Sequence, residues 1–180
     1  MKTRGPVLAA WARAHLREAL GGPAARRPDE PWCGEPAATF VTLRWQNDGA
    51  LQGCIGTLTA VRAIADDVAH HVISAGLHDP RGERLALADV AVLDLEISLL
   101  SELEPVSVAD IRPGVDGIVL EHRGARATLL PVMWEQLPEP AVFLAALKHK
   151  AGLPRAFESP ELRYSRYTAV RYVDPAPGAP

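Results

Sequence analysis

A predicted β-hairpin constrains the fold more than any other part of this 180-residue chain. Residues 39–45 alternate in polarity, with Val41 and Leu43 on one face, and this pattern predicts a strand. The turn sequence Asn-Asp-Gly at residues 47–49 favours a reversal into a second strand over residues 51–58. Because the strands of a hairpin run in opposite directions, the segment predicts an antiparallel sheet.

A cysteine flanked by glycines lies in the second predicted strand. Gly53 precedes Cys54, and Gly56 follows two positions later. Glycine leaves the backbone and the thiol open to close approach by a ligand or another chain, whereas a plain core strand would carry branched side chains. The alternative is that the small residues serve a β-bulge or a tight helix–strand contact. Strand alternation places Gln52 and Cys54 on one face, opposite Ile55.

The rest of the chain mixes helical and strand patterns. Apolar spacing predicts helices over residues 6–20, 61–78 and 139–151, and alternation predicts strands over residues 92–100, 118–122, 125–130 and 162–173. Helices combined with hairpins predict an α+β fold in which antiparallel sheets are flanked by helices. Residues 1–174 are predicted to form one domain, and the proline- and alanine-rich residues 175–180 a disordered tail.

Composition excludes several classes of protein. Hydrophobic residues make up 48% of the chain, which is enough for a substantial core. The formal net charge of −3 argues against a general nucleic-acid binder. No apolar run approaches the roughly 18 residues of a membrane helix. With only Cys33 and Cys54, no disulfide framework is indicated, so a cytoplasmic, reduced protein is expected.

The residues around Cys54 resemble the signature of the AMMECR family. That family's stretch reads Leu-Arg-Gly-Cys-Ile-Gly, and here Gln52 replaces the arginine. The resemblance covers about residues 6–172. Further family-like blocks follow in the same order at residues 79–81, 95–100, 114–117, 129–132 and 150–153. A second departure is Gly82, where the family usually has phenylalanine, and it predicts a looser loop after residue 81.

The resemblance carries expectations about architecture and partners. It implies a larger lobe built from both chain ends, a smaller lobe from the middle, and a cleft between them. Bacterial members resemble protein A of the AmmeMemoRadiSam system, which implies a Memo-like protein and a radical-SAM enzyme as partners. The family has no settled biochemical activity. No reaction or cofactor therefore follows from it, and whether the chain is an enzyme stays open.

Cys54 and Glu96 are the candidate catalytic residues. A thiol reacts as the thiolate, which needs a nearby cation, histidine or helix N-terminus. No histidine lies within a few residues of Cys54, so a base would come from elsewhere in the fold; the alternative is a buried, inert cysteine. Glu96 and Ser98 lie on the polar face of their predicted strand, which is usually only solvated. With the two lobes implied by the resemblance, that face would line the cleft opposite Cys54.

Residues 79–81 (Asp-Pro-Arg) are a candidate anion site. Proline stiffens the turn, and the acid beside the arginine gives a fixed fork for a carboxylate or phosphate group on Arg81. The alternative is a turn that ends a helix, with Asp79 and Arg81 bonded to backbone groups.

Two further clusters of polar residues are interpreted as structural features and not as binding sites. Asp66 and Asp67 lie four residues before His70 and His71, but a metal site needs three or four converging ligands, so solvated pairs and no metal site are predicted. The interleaved arginines and tyrosines of residues 163–172 have the composition of a single-strand nucleic-acid face. They also fit a charged edge strand, and the acidic balance of the chain favours that alternative.

These observations lead to one predicted function and two alternatives. The first is an AMMECR-type protein that binds a small molecule or a partner segment at Cys54. In it, Arg81 orients an anion, and the other ligand-binding residues are Gly53, Gly56, Asp79 and Ser98. The alternatives are a non-enzymatic protein-interaction module and a nucleotide or nucleic-acid binder.

Overall fold

The computed structural model describes residues 3–175 of the chain, which divides into two compact units. The first unit comprises the chain up to Leu100 together with the segment from Val170 onward, and the second comprises Ser101–Ala169. Each unit has its own sheet and its own hydrophobic core. Apart from Pro175, the tail predicted over residues 175–180 lies outside the described residues.

The helices and strands follow one another in a mixed order. They are α1 (Arg4–Ala19), β1 (Pro36–Trp45), β2 (Leu51–Gly56), β3 (Arg62–Ala63), α2 (Ile64–Ile73), β4 (Leu93–Leu100), β5 (Glu104–Pro105), β6 (Gly117–His122), β7 (Ala125–Leu129), α3 (Pro140–Lys150), β8 (Arg163–Tyr167) and β9 (Ala169–Asp174). A π-helical segment, Ser74–His78, continues α2. Within residues 3–175, no helix has the length and apolar character needed to cross a bilayer.

The first unit packs two helices on a five-stranded sheet of order β2-β1-β4-β9, with β3 also paired to β1. β1 is antiparallel to β2, β3 and β4. Alternate residues of β1 and β4 point into the core, where they meet apolar residues of α1 and α2. This core includes Leu8, Ala12, Val41, Leu43, Val68, Val72, Leu95 and Ile97, each at most 1% exposed. The predicted α+β class with antiparallel sheets and flanking helices is confirmed.

The second unit is built on an antiparallel sheet of order β5-β8-β6-β7. The β6–β7 hairpin turns at Arg123 and Gly124, which both adopt positive φ angles of 45° and 88°. Helix α3 supplies Phe143, whose ring stacks on Trp134 with centroids 3.7 Å apart. These rings pack with Ile118 and other buried residues of the sheet into a separate core.

The structure corrects two predicted elements. The helix predicted over residues 61–78 begins at Ile64, because residues 62 and 63 form β3 and pair with β1. The strand predicted over residues 162–173 is two strands, since β8 pairs with β6 whereas β9 belongs to the sheet of the first unit. The strand-like sequence pattern continues from β8 into β9. It therefore did not reveal that the strand is interrupted at Thr168.

Candidate functional site

Cys54 lies in β2 with its side chain partly exposed. Its neighbour across the sheet is Thr42 of β1, whose Oγ1 donates a hydrogen bond to Cys54 Sγ at 3.2 Å. The backbone N–H of Cys54 donates to Asp79 Oδ2 at 3.0 Å. The thiol and its backbone are thus held by one residue of the adjacent strand and one from the loop after the π-helical segment.

Asp79 and Arg81 form a forked ion pair beside Cys54. The guanidinium donates from Nε to Asp79 Oδ1 at 2.9 Å and from Nη2 to Oδ2 at 2.7 Å. The Asp79 side chain is 1% exposed, whereas that of Arg81 is 57% exposed. Hydrogen bonds from Arg81 hold the pKa of Asp79 well below its usual range, against the opposing effect of burial. Asp79 is therefore a buried carboxylate that stays ionised.

The same fork leaves part of Arg81 open to solvent. Nη2 also approaches the Cys54 carbonyl oxygen at 3.4 Å. Among the described residues, no hydrogen-bond partner is found for Nη1. The arginine is thus immobilised on one side by Asp79 while its outer N–H groups remain available. Guanidinium N–H groups of this kind bind carboxylate and phosphate oxygens.

The two glycines of the Cys54 stretch serve close packing. A Cβ atom at Gly53 would lie 2.0 Å from the carbonyl oxygen of Ala75 in the π-helical segment. At Gly56 it would lie 2.2 Å from the ring of Phe40. The space beside both glycines is therefore filled by the protein itself. At Gly53 the observed contact is the tight helix–strand packing that the sequence left open as an alternative, whereas Gly56 lies against β1. A ligand-binding role for Gly53 and Gly56 stays a prediction.

Strand alternation predicted Gln52 and Cys54 on the same face of the sheet, but the structure places their side chains on opposite faces. Leu43 pairs with Gly53 and Arg44 with Leu51, so Gln52 is an extra residue in a β-bulge. Its side chain is 1% exposed and bonds to the same helical segment that Gly53 contacts. Bulges break the side-chain alternation of a strand, which is why period-two reasoning failed at this position.

Gln52 pins the loop that follows Arg81. Its Nε2 donates to the carbonyl of Glu83 at 2.8 Å, and its Oε1 accepts from Glu83 N at 3.2 Å and Trp45 Nε1 at 3.1 Å. A Cβ atom at Gly82 would lie 2.1 Å from the Gln52 carbonyl oxygen. The loop expected to be looser because of Gly82 is instead held close to β2. Gly82 is required for that close approach, and the neutral Gln52 amide holds it in place.

Glu96 and Ser98 lie on the sheet face that carries Cys54. The register aligns Glu96 with Thr42, and Thr42 with Cys54, so Glu96 is two strands away from the cysteine. Two strand spacings amount to about 10 Å. Glu96 Oε1 accepts from Arg171 Nε at 2.9 Å, and Ser98, 3% exposed, donates to Glu96. Glu96 is thus in the cross-strand row of Cys54, whereas Ser98 is in the next row, with Phe40 and Gly56. No hydrogen bond joins either residue to Cys54 among the described residues. Their catalytic and binding roles stay predictions.

A buried polar cluster on α2 was missed by sequence reasoning. Asp67 and His71 are at most 1% exposed, and Thr39 of β1 donates through Oγ1 to Asp67 at 2.7 Å. Burial lowers the pKa of His71, with Asp67 acting in the opposite direction, so the imidazole is neutral in this cluster. The prediction of solvated pairs is wrong for Asp67 and His71. Their positions next to Val68 and Val72 on the apolar stripe were the available signal.

The remaining predicted clusters do not converge on the Cys54 site. Within residues 3–175, no group of three or more histidine, cysteine or carboxylate side chains could hold a metal ion. The arginines and tyrosines of residues 163–172 are divided between two sheets. Tyr167 is 1% exposed, and its hydroxyl lies 2.7 Å from Thr128 Oγ1. Arg166 pairs with Glu104, and Arg171 with Glu96.

Comparisons with known proteins give matches that extend over most of the chain. The AMMECR1 family model matches residues 9–172. A protein of Methanothermobacter thermautotrophicus is 36% identical over 180 residues, covering 93% of each chain. Protein Ta0236 of Thermoplasma acidophilum is 32% identical, covering 80% of this chain and 72% of that one. The crystal structure of the uncharacterised protein PH0010 from Pyrococcus horikoshii aligns with a TM-score of 0.87 and 27% identity, over 98% of this chain and 94% of that one. The chain belongs to the AMMECR1 family.

Proposed function

We propose that the protein binds a small molecule or a partner segment carrying an anionic group, at the surface formed by Cys54 and Arg81. The observation that carries this proposal is the shared anchor Asp79. Its buried carboxylate bonds both to the backbone of Cys54 and to the Arg81 guanidinium. A thiol and a cation are thereby held at fixed relative positions on one surface. Such fixed placement lowers the cost of ordering side chains when a ligand binds.

Each group has a distinct part in this proposal. The exposed side of Arg81 contacts the anionic group, since guanidinium N–H donors match the geometry of carboxylate and phosphate oxygens. Cys54 lies beside that group, and the Thr42 hydroxyl fixes the position of its sulfur. The Arg81 guanidinium and the Cys54 thiol together support the binding of an anion next to a thiol. They do not indicate which reaction, if any, follows.

Glu96 extends the proposal to larger ligands. It lies in the same cross-strand row as Cys54, about 10 Å away across Thr42. A ligand that contacts Cys54 and Glu96 together has to span about this distance. We include Glu96 as a contact for a cationic or hydroxyl group at the far end of the ligand, with Arg171 as its present partner.

Family membership suggests which proteins interact with this site. The expected partners are a Memo-like protein and a radical-SAM enzyme in the cytoplasm, and the occupant of the Cys54 surface is then either their small-molecule product or an acidic segment of one of them. This part of the proposal is supported by the AMMECR1 assignment alone.

The test compares two alkylating reagents of similar size and different charge. Iodoacetate is anionic and iodoacetamide is neutral, so the ratio of their rates at Cys54 reports the local positive potential. A Cys33→Ser background isolates Cys54, and Cys54→Ala supplies the blank. Arg81→Gln is expected to lower the ratio by about fivefold, which corresponds to about 1 kcal/mol of electrostatic attraction. Intact-mass spectrometry measures both rates.

Matched variants separate a local effect from a general one. Arg26→Gln removes the same charge from a side chain that is 89% exposed and is expected to leave the ratio unchanged. Arg81→Lys retains the charge and is expected to preserve most of the ratio. The proposal fails if Arg81→Gln leaves the ratio at its original value, or if neither reagent reaches Cys54 in the folded protein.

A further inference from the structure

A cavity lies in the second unit of the protein. It is bounded by the end of α3, by residues 105–108 and by residues 158–164, and its volume is about 790 Å³. Its described lining residues all belong to Ser101–Ala169. The volume falls within the range of sites that take small organic molecules.

A buried lysine forms part of the cavity wall. The Lys148 side chain, on α3, is only 8% exposed. Lysine is almost never so deeply buried unless its charge is paired. Its Nζ donates to Glu158 Oε1 at 2.6 Å. An ammonium group has three N–H donors, and no other hydrogen bond from Nζ is found among residues 3–175. Two donors of a buried cation are thus left for a ligand.

Lys148 and its partner Glu158 differ strongly in solvent exposure. The Glu158 side chain is 79% exposed and lies on the segment after α3. Its carboxylate can return to water at little cost, whereas Lys148 has already lost its hydration. Glu158 loses little when it leaves the pair, but the Lys148 ammonium then needs another anion as its partner. An incoming anion that remains in the cavity can replace Glu158 or share the ammonium with it.

The other walls combine polar groups with apolar surface. The Tyr164 hydroxyl has no hydrogen-bond partner among the described residues, and burial raises its pKa, so it stays protonated as a donor. Arg163 adds a second cation at the rim and donates to the Pro160 carbonyl at 3.0 Å. Leu144 and Leu162 supply apolar wall. A few converging polar groups on apolar walls are typical of small-ligand sites.

We propose that the second unit binds a small organic anion in this cavity, with its carboxylate or phosphate group on Lys148 Nζ and its apolar part against Leu144 and Leu162. The site shares no residue with the Cys54 surface, and the proposal stands independently of the one made for that surface. The competing explanation is a purely structural ion pair that ties the segment around Glu158 to α3.

Binding to the full-length protein is tested with simple probes. Phenyl phosphate and benzoate carry an anionic group on an apolar ring, inorganic phosphate lacks the ring, and benzyl alcohol lacks the charge. Calorimetry gives the dissociation constants, and ¹H–¹⁵N spectra locate the site. At least one ring-bearing anion is expected to bind more tightly than inorganic phosphate and benzyl alcohol, and to shift the amide signals of Lys148 and Tyr164.

Three variants distinguish the ligand site from a structural ion pair. Lys148→Met is expected to weaken binding by about tenfold or more, because it removes a charge-assisted hydrogen bond. Lys150→Met, two residues away on the same helix, changes the net charge equally but does not line the cavity, and is expected to leave binding unchanged. Glu158→Gln removes the competing carboxylate and is expected to retain or strengthen binding.

Several results would overturn the proposal. One is the absence of binding by either ring-bearing anion at concentrations up to about 10 mM. Another is equal weakening by Lys148→Met and Lys150→Met, which indicates non-specific attraction. A third is weakening by Glu158→Gln as large as that by Lys148→Met, which indicates a structural ion pair. If Lys148→Met does not fold, the Glu158→Gln affinity and the shifted amides decide the question.

Discussion

At the scale of single residues, Asp79 connects the most groups of the Cys54 site. Its carboxylate accepts the backbone N–H groups of Cys54 and Arg81 together with the Arg81 side chain. A carboxylate loses its hydration when it is buried and stays ionised only where hydrogen bonds and an opposite charge replace that hydration. The positions of the thiol and the guanidinium therefore depend on one ionised side chain.

Asp79→Asn is expected to lower stability and to reduce its dependence on pH. The native pKa of Asp79 lies below the value of about 3.9 in an unfolded chain. Its ionised form therefore stabilises the folded state fully above that pH, and the contribution is lost as the pH falls below it. The stability difference between wild type and Asp79→Asn should be constant from about pH 8 to about pH 5 and shrink toward about pH 2. Urea unfolding followed by tryptophan fluorescence measures this difference.

Asp29→Asn is the matched control for that experiment. Asp29 also pairs with an arginine, but its side chain is 80% exposed, so its removal should change stability little at any pH. A wild-type to Asp79→Asn difference that persists unchanged at the lowest pH would contradict the role assigned to the ionised form.

At the scale of elements, the packing of β2 against the π-helical segment Ser74–His78 fixes the geometry around Cys54. Gly53 lies directly against the Ala75 carbonyl. The next carbonyl, that of Gly76, accepts a hydrogen bond from Gln52 Nε2 at 3.1 Å. π-Helical turns alter the α-helical hydrogen-bond pattern. The segment thus presents backbone acceptors to the strand at close range.

Gly53→Ala is expected to destabilise the protein by about 2 kcal/mol, because the added methyl group meets backbone that cannot move away cheaply. Gly34→Ala is the control, since a Cβ atom at Gly34 meets nothing within 4 Å and no positive φ is involved. Chemical unfolding of both variants measures the difference. Equal stability of the two variants would show that the strand and the helical segment can separate without cost.

Most elements were predictable because their patterns are local. Helix α1 and strands β1, β4, β6 and β7 follow apolar spacings that neighbouring residues alone impose. A β-bulge near Cys54 was one alternative, but its position at Gln52 was not predicted. The π-helical segment and the break between β8 and β9 were not predicted either. Each depends on which distant strand or helix the segment meets, and hydrophobic periodicity contains no information on that choice.

At the scale of the whole molecule, the first unit is completed by the end of the chain. β9 joins the sheet next to β4. From this strand Arg171 pairs with Glu96, and Asp174 accepts from Arg13 Nε at 2.6 Å. Tyr172 packs so closely on α1 that a Cβ atom at Gly5 would overlap its ring. The first unit is therefore discontinuous in sequence.

Truncation after Ala169 is expected to destabilise the first unit, because β4 becomes an edge strand, Arg13 loses Asp174 and Glu96 loses Arg171. Hydrogen exchange of β4 amides should become faster, and the midpoint of urea unfolding should fall. A chain ending at Pro175 retains β9 and is expected to keep the full-length exchange rates in β4. Unchanged β4 protection after the shorter truncation would show that β9 adds nothing to this sheet.

Local sequence pattern was sufficient for the α+β class, the hairpins, the family resemblance and the choice of Cys54, Asp79 and Arg81 as candidates. Tertiary structure decided which hydrogen bonds these candidate residues make. Cys54 and Asp79 are 25 residues apart, and Gln52 and Glu83 are 31 apart, yet each pair is joined by hydrogen bonds. Such contacts arise when strands and loops distant in the chain pack together, and most polar groups that become buried then pair with a hydrogen-bond partner. Residue spacing along the chain does not specify those partners.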